Sequence, residues 1–273
     1  MAAPIGVFDS GYGGLTILKA LQKQLPEYDY IYLGDNARAP YGTRSFETVY
    51  EYTLEAVKWF FDQGCELVIL ACNTASAKAL RNIQQLDLPT LAPNKRVLGV
   101  IRPSSEVLGN YSSSKQVGVM GTSGTVQSES YILEMAKFFP EVKVFQQACP
   151  MWVPIIENGE FDSEGADFFV KKYLDQLFSQ SNQIDAVLLA CTHYPLLEAK
   201  IKAYAPKGVK FISQGDIVAQ SLALYLENHP EIAQKCSKNG QISFFTTDNE
   251  QVFEQQGSLF FGQKIAAKHT DLA

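Results

Sequence analysis

The chain predicts an α/β fold: two pseudosymmetric α/β domains with mainly parallel sheets flanked by helices, and an active site in the cleft between them. Three observations lead there. Short apolar runs alternate with amphipathic helical stretches along most of the chain, the order that builds parallel sheets. Two of those runs close on the same phrase, Leu67-Val68-Ile69-Leu70-Ala71-Cys72 and Ala186-Val187-Leu188-Leu189-Ala190-Cys191. Each is preceded, at nearly the same interval, by a strand that runs into a turn of glycines and hydroxyls, Asp9 to Gly14 in one half and Gly121 to Thr125 in the other. An interval this long is no solenoid repeat and reads as a duplicated domain. Ligands of such sheets bind beyond the carboxyl ends of the strands, where both cysteines fall.

Taken in order, Pro4 to Phe8 reads as a short apolar strand, and the Gly-rich turn after it lets backbone approach a ligand closely. The turn lacks the Lys-Ser/Thr of a P-loop. A helix follows from about Leu15 to Gln24, then a strand over Tyr30 to Gly34 and a loop from Asp35 to Gly42. Ser45 is placed to cap a helix that runs to Asp62, with Gly64 ending it. The Cys72 strand comes next, and Asn73-Thr74-Ala75-Ser76 opens a helix to about Gln85. Leu98 to Ile101 reads as another strand, broken by Arg102-Pro103. The second half repeats the scheme: a strand from Gln116, a helix from near Val126 to Phe139, a strand over Val142 to Phe145, a junction from Pro154 to Glu160, a helix over Glu164 to Gln180, and the Cys191 strand. Strands at Lys210 to Ser213 and Ile242 to Thr247, with helices at Ile217 to Leu226 and Gln251 to Phe261, are expected to rejoin the first domain. The division expected is therefore 1–99 plus 212–273 for the domain with Cys72, and 100–211 for the domain with Cys191.

Composition narrows the class. At 273 residues and 46% hydrophobic content, the chain has ample length to bury a core. A net charge of -6 with scattered basic residues argues against a nucleic-acid partner. No apolar run reaches the roughly 18 residues of a membrane span, and the opening Met-Ala-Ala-Pro carries no signal-peptide pattern. Five cysteines without framework spacing or a Cys-x-x-Cys point to reduced thiols and a cytoplasmic location. The three histidines form no zinc-type cluster with them, so no metal is expected.

A free cysteine is most often a small buried apolar group, and Cys65, Cys149 and Cys236 are read so. Cys72 and Cys191 are each followed by polar groups, Asn73-Thr74 and Thr192-His193, where a buried strand would continue in hydrocarbon. A redox pair, a Cys-His nucleophile and two-base proton transfer all need thiols. A nucleophile needs only one, whereas inversion of a carbon stereocentre needs a base on one face and an acid on the other. Asp9 beside Cys72 and His193 beside Cys191 are the natural partners to tune thiols whose ordinary pKa is about 8.5.

In these motifs the chain resembles the glutamate racemases of the cofactor-independent aspartate/glutamate racemase superfamily. The resemblance spans Ile5 to about Gly262 and rests on Phe8-Asp9-Ser10-Gly11 with Gly13-Gly14, Pro40-Tyr41-Gly42 with Thr43-Arg44-Ser45, and Ala71 to Ser76. The second half adds Gly121-Thr122 with Thr125-Val126 and Ser128, Cys149-Pro150 with Val153-Pro154 and Glu157, and Cys191 to Pro195. It implies interconversion of L- and D-glutamate without pyridoxal phosphate or metal, supplying D-glutamate for peptidoglycan. It further implies Cys72 and Cys191 as the acid/base pair with Asp9 and His193 as helpers, and a homodimer. Substrate would be bound by Asp9, Ser10, Tyr41, Gly42, Asn73, Thr74, Thr122, Thr125, Thr192 and His193, with Glu157 assisting His193. Asp35 and Arg44 are expected to be structural. The chain departs from the family pattern at Arg102. Racemisation of aspartate, or a non-catalytic partner-binding role on the same fold, are the alternatives.

Overall fold

The computed structural model describes residues 2–272; Met1 and Ala273, the two ends of the expected domain division, lie outside them. Among the described residues run ten strands: β1 (Ile5–Asp9), β2 (Tyr30–Gly34), β3 (Leu67–Leu70), β4 (Arg96–Gly99), β5 (Gln116–Gly121), β6 (Lys143–Ala148), β7 (Ala186–Ala190), β8 (Lys210–Ile212), β9 (Ile242–Thr246) and β10 (Ala267–His269). They form a six-stranded sheet of order β10-β9-β2-β1-β3-β4 and a four-stranded sheet of order β6-β5-β7-β8. Every strand pairing is parallel. Helices supply the crossovers, and their apolar faces cover the sheets. That is why β1, β3 and β7 are buried at every position and read as continuous apolar runs rather than alternating ones.

The duplication is visible in strand order. Within the larger sheet, β2-β1-β3-β4 matches β6-β5-β7-β8 position for position, so β3 and β7 are equivalent strands. Cys72 follows the end of β3 and Cys191 the end of β7. Asp9 at the end of β1 and Thr122 just after β5 fall on the same rim.

Several elements differ from the expectation. β8 pairs with β7, with Leu188 opposite Ile212, so Lys210 to Ile212 complete the second sheet and the chain returns to the first only afterwards. The return is made by the helix Gly215–Asn228, which packs against Leu15–Gln24. Arg102-Pro103 does not break the chain; both residues lie in the first turn of the helix Ile101–Leu108. A proline is tolerated there because the first-turn N–H groups have no intrahelical acceptor. Pro154 likewise sits early in the helix Trp152–Glu157, not in a junction. The helix after Cys72 is broken: Asn73–Lys78 is followed by a short turn and a π-helical stretch, Ile83–Asp87. Ser45 does cap the helix Phe46–Asp62, its hydroxyl accepting from Thr48 N–H at 3.2 Å. Arg102 pairs with Glu106 at 2.8 Å on the surface and lies over the Phe138 ring.

Candidate active site

Cys72 and Cys191 line one cleft between the carboxyl ends of the two sheets. Both thiols are 6% exposed, enough to meet a small ligand and too little to meet bulk solvent freely. Cys72 is the N-cap of Asn73–Lys78, and its Sγ accepts from Ala75 N–H at 3.5 Å. Ser10 Oγ lies 3.5 Å from the same sulfur. Burial and the Asp9 carboxylate push the Cys72 thiol up to about 12, against the opposing pull of the Ser10 hydroxyl and the Ala75 N–H. Asp9, expected as the group that tunes Cys72, therefore acts on it against the thiolate, because like charges repel.

The Asp9 carboxylate is fully buried. It accepts from Gly11 N–H at 3.0 Å and from Thr192 Oγ across the cleft at 3.4 Å. Its pKa is raised, because burial outweighs the His193 imidazole and the Gly14 and Gly11 N–H groups. The equivalent turn is Thr122. Its hydroxyl caps Ser123–Gln127, accepting from Thr125 N–H at 3.2 Å, and meets Thr74 Oγ at 2.9 Å. The Thr74–Thr122 contact joins the two halves over the cleft, as does Gly124 N–H donating to the Gly42 carbonyl at 2.8 Å.

On the Cys191 side, the sulfur is 3.9 Å from His193 Nδ1, and His193 Nε2 is 2.9 Å from Glu157 Oε1. Burial disfavours the imidazolium, but the bonds to Cys191 and Glu157 prevail and raise the His193 pKa to about 10. The contacts thus favour an imidazolium beside Cys191, with the bond to Cys191 contributing most and the bond to Glu157 next. The Gly13 backbone presses directly on this pair: a Cβ added to it would lie 2.2 Å from Thr192 Oγ1 and 2.4 Å from His193 Nδ1. Glycine at 13 lets the first half reach the Thr192–His193 edge of the second.

Ser10, Tyr41, Gly42, Cys72, Asn73, Thr74, Thr122, Glu157, Cys191, Thr192 and His193 line the cleft together. Asp9 sits behind them, bonded to Thr192. Thr125 does not reach the lining; it is fully buried, its hydroxyl 3.1 Å from Thr122 Oγ. The Tyr41 hydroxyl is also turned to structural use, donating to buried Asp35, which pairs with Arg38 at 2.7 Å. Lys78 Nζ donates to the Arg44 carbonyl at 2.7 Å. No group of three His, Cys, Asp or Glu side chains among the described residues is placed to hold a metal.

Sequence reasoning missed one wall. Cys149, Pro150, Val153 and Pro154 line the cleft beside Glu157. The spacing of Pro150, Val153, Pro154 and Glu157 is that of one helical face, a signal that could have been read. Among the described residues, no lysine or arginine lines the cleft. Its donors are hydroxyls, the Asn73 amide and the leading N–H groups of the two helices, those of Asn73, Thr74 and Ser123, which lack intrahelical acceptors.

The profile of the family described as Asp/Glu/Hydantoin racemase matches residues 14–222. Glutamate racemase of Geobacter metallireducens is 40% identical over 262 residues, covering 96% of this chain and 93% of the relative. Among solved structures, glutamate racemase isoform RacE1 of Bacillus anthracis superposes with a TM-score of 0.89 at 34% identity, covering 99% of this chain and 98% of its own. Glutamate racemase of Francisella tularensis in complex with D-glutamate superposes at 0.88 with 33% identity, over 99% of this chain and 98% of its own. With this agreement over nearly the whole length, the chain belongs to the Asp/Glu/hydantoin racemase family and, within it, to the glutamate racemases.

Proposed function

We propose that this cleft inverts the α-carbon of glutamate by two-base proton transfer between Cys72 and Cys191. The observation that carries the reading is the pair of sulfurs on equivalent strands of the two sheets, lining one cleft. Two domains related by pseudosymmetry present one thiol to each face of a bound ligand. In one direction the Cys191 thiolate, beside the His193 imidazolium, removes the α-proton while the Cys72 thiol donates its proton to the opposite face. The reverse direction starts from the opposite protonation state, with Cys72 as thiolate and Cys191 as thiol. The protons balance in each direction: one sulfur takes the α-proton of the substrate, and the other gives its own proton to the opposite face of the product.

Uncharged donors suit this chemistry. The substrate carboxylates would meet the Asn73 amide, the hydroxyls of Ser10, Thr74, Thr122 and Thr192, and N–H groups of Gly42, Asn73, Thr74 and Ser123. Preorganised dipoles in a water-poor site stabilise developing negative charge at little reorganisation cost. The raised thiol pKa of Cys72 fits its role as the acid. We also propose the division into two lobes that meet at the cleft, a homodimer, and a cytoplasmic source of D-glutamate for peptidoglycan. The lobes rest on the two sheets, and the rest on family resemblance. No helix among the described residues is long and apolar enough to cross a membrane.

The test is direct. Purified protein given L- or D-glutamate, with no added cofactor, should interconvert the two by circular dichroism. Cys72→Ala and Cys191→Ala should each abolish it; racemisation surviving in either would contradict the two-thiol reading. Aspartate should turn over far more slowly, and sedimentation tests the dimer.

A further inference from the structure

Behind the cleft, three buried side chains close a ring of hydrogen bonds that none of the chemistry above requires. Asn73 Nδ2 donates to Gln214 Oε1 at 2.7 Å, Gln214 Nε2 donates to the Tyr131 hydroxyl at 2.9 Å, and that hydroxyl donates to Asn73 Oδ1 at 2.6 Å. The members are 2%, 3% and 0% exposed. Every bond runs the same way round, and Gln214 Nε2 also donates to the Val100 carbonyl at 3.3 Å, a group that can only accept; this fixes the Gln214 amide and, through the ring, one amide orientation at Asn73. Oδ1 is committed to Tyr131 and one N–H to Gln214, and the second N–H belongs to a residue that lines the cleft. Gln214 is itself held by the Ser104 hydroxyl at 2.7 Å, which in turn donates to the Val100 carbonyl at 2.8 Å.

The ring also joins three separate parts of the fold. Asn73 opens the helix after the Cys72 strand, Tyr131 stands in the helix Ser130–Phe138 of the second half, and Gln214 is the N-cap of the returning helix Gly215–Asn228. Moving one half against the other would strand buried polar groups, which is costly without replacement partners. Resting on the racemase reading above, we infer that Gln214 and Tyr131 are positioning residues for substrate binding: they lock the Asn73 amide so that an N–H faces the substrate carboxylate, and they set the register of the two halves around it.

Tyr131→Phe removes two of the three ring bonds while keeping the ring's volume, and it frees the Asn73 amide to flip. An interaction made equally with bound substrate and with the transition state shows in KM rather than kcat. The variant should therefore raise KM for glutamate about tenfold in both directions, with kcat falling by less. Gln214→Glu is the second test. It keeps the acceptor for Asn73 but loses the donor to Tyr131 once its carboxyl ionises, so KM relative to wild type should climb as pH rises and recover as pH falls. A purely structural role predicts lower thermal stability with KM and its pH dependence as in wild type. That outcome in either variant, beside a wild type that racemises glutamate, overturns the ring assignment alone. An inactive wild type overturns the racemase reading and this inference with it.

Discussion

Gly13→Ala tests the close approach of the two halves. The added methyl would lie 2.4 Å from His193 Nδ1 and 2.2 Å from Thr192 Oγ1, where ordinary contact begins at about 3.4 Å. The imidazole must retreat by about 1 Å, or the Gly-rich turn must lift by as much. His193 is tied to Glu157 at 2.9 Å, so a retreat of that size breaks the bond or drags the helix Trp152–Glu157 with it. Thr192 has similarly little freedom, because its hydroxyl reaches Asp9. Overpacking of this kind costs about 1–3 kcal/mol, which for a chain of this length lowers Tm by several degrees. Displacing a reacting group by about 1 Å costs on the order of 100-fold in rate. We therefore expect kcat/KM on glutamate to fall by about two orders of magnitude, with a Tm loss below 10 °C by scanning calorimetry. Gly165→Ala is the control. Its methyl meets only Ser163 Oγ at 3.4 Å, inside the helix Glu164–Phe178, so activity should stay at wild type and stability should hold or rise slightly. A Gly13→Ala protein with full kcat/KM would refute the coupling of this turn to turnover through Thr192 and His193.

Four further outcomes follow from the site. Glu157→Gln removes one of the groups that hold the His193 pKa at about 10, so the alkaline limb of the pH–rate profile should move to lower pH; an unmoved limb would show that Glu157 does not act through His193. The sign for stability is that of a raised basic group: His193 contributes stability fully below its unfolded pKa of 6.5, and this is lost as pH rises through about 10. Urea denaturation across that window should show a loss that is smaller in Glu157→Gln. Asp9→Asn removes a charge that pushes the Cys72 thiol up, so the pH at which iodoacetamide alkylates Cys72 should fall, and an upward shift would contradict the electrostatics of the turn. Thr74→Val deletes the 2.9 Å bond to Thr122 that spans the cleft and should raise KM severalfold, with a stability cost of about 1 kcal/mol; unchanged KM would place this bridge outside substrate binding.

Much of the fold was legible because its governing signals are local. Strands buried on both faces leave apolar runs, and the cap at Ser45 and the turn at Asp9 to Gly14 are read from neighbouring residues. The paired cysteines were legible for a different reason: duplication writes the same strand end twice. What escaped was set by partners distant in sequence. Nothing near Asn73 announces that Gln214 and Tyr131 will fix its amide, and nothing near Tyr41 shows that Asp35 claims its hydroxyl. Thr125 has the right chemistry for binding, but the first-turn geometry of Ser123–Gln127 sets it behind Thr122. Prolines 103 and 154 were read as breaks because an unassigned helix start and a helix break look alike in sequence. The sense in which Asp9 acts on Cys72 depends on burial and like charge, neither of which spacing reveals.

The central claim is that two thiols act from opposite faces, and deuterium labelling in the initial-rate regime tests it most directly. L-Glutamate turned over in deuterated water, quenched at a few per cent conversion and resolved into enantiomers, should yield D-glutamate carrying one α-deuterium while the recovered L-glutamate remains protiated. The same asymmetry should appear from D-glutamate. A single base serving both faces would return deuterium to the unconverted substrate, or carry the original proton into the product, and either result would contradict the assignment of Cys72 and Cys191 to opposite faces of the substrate.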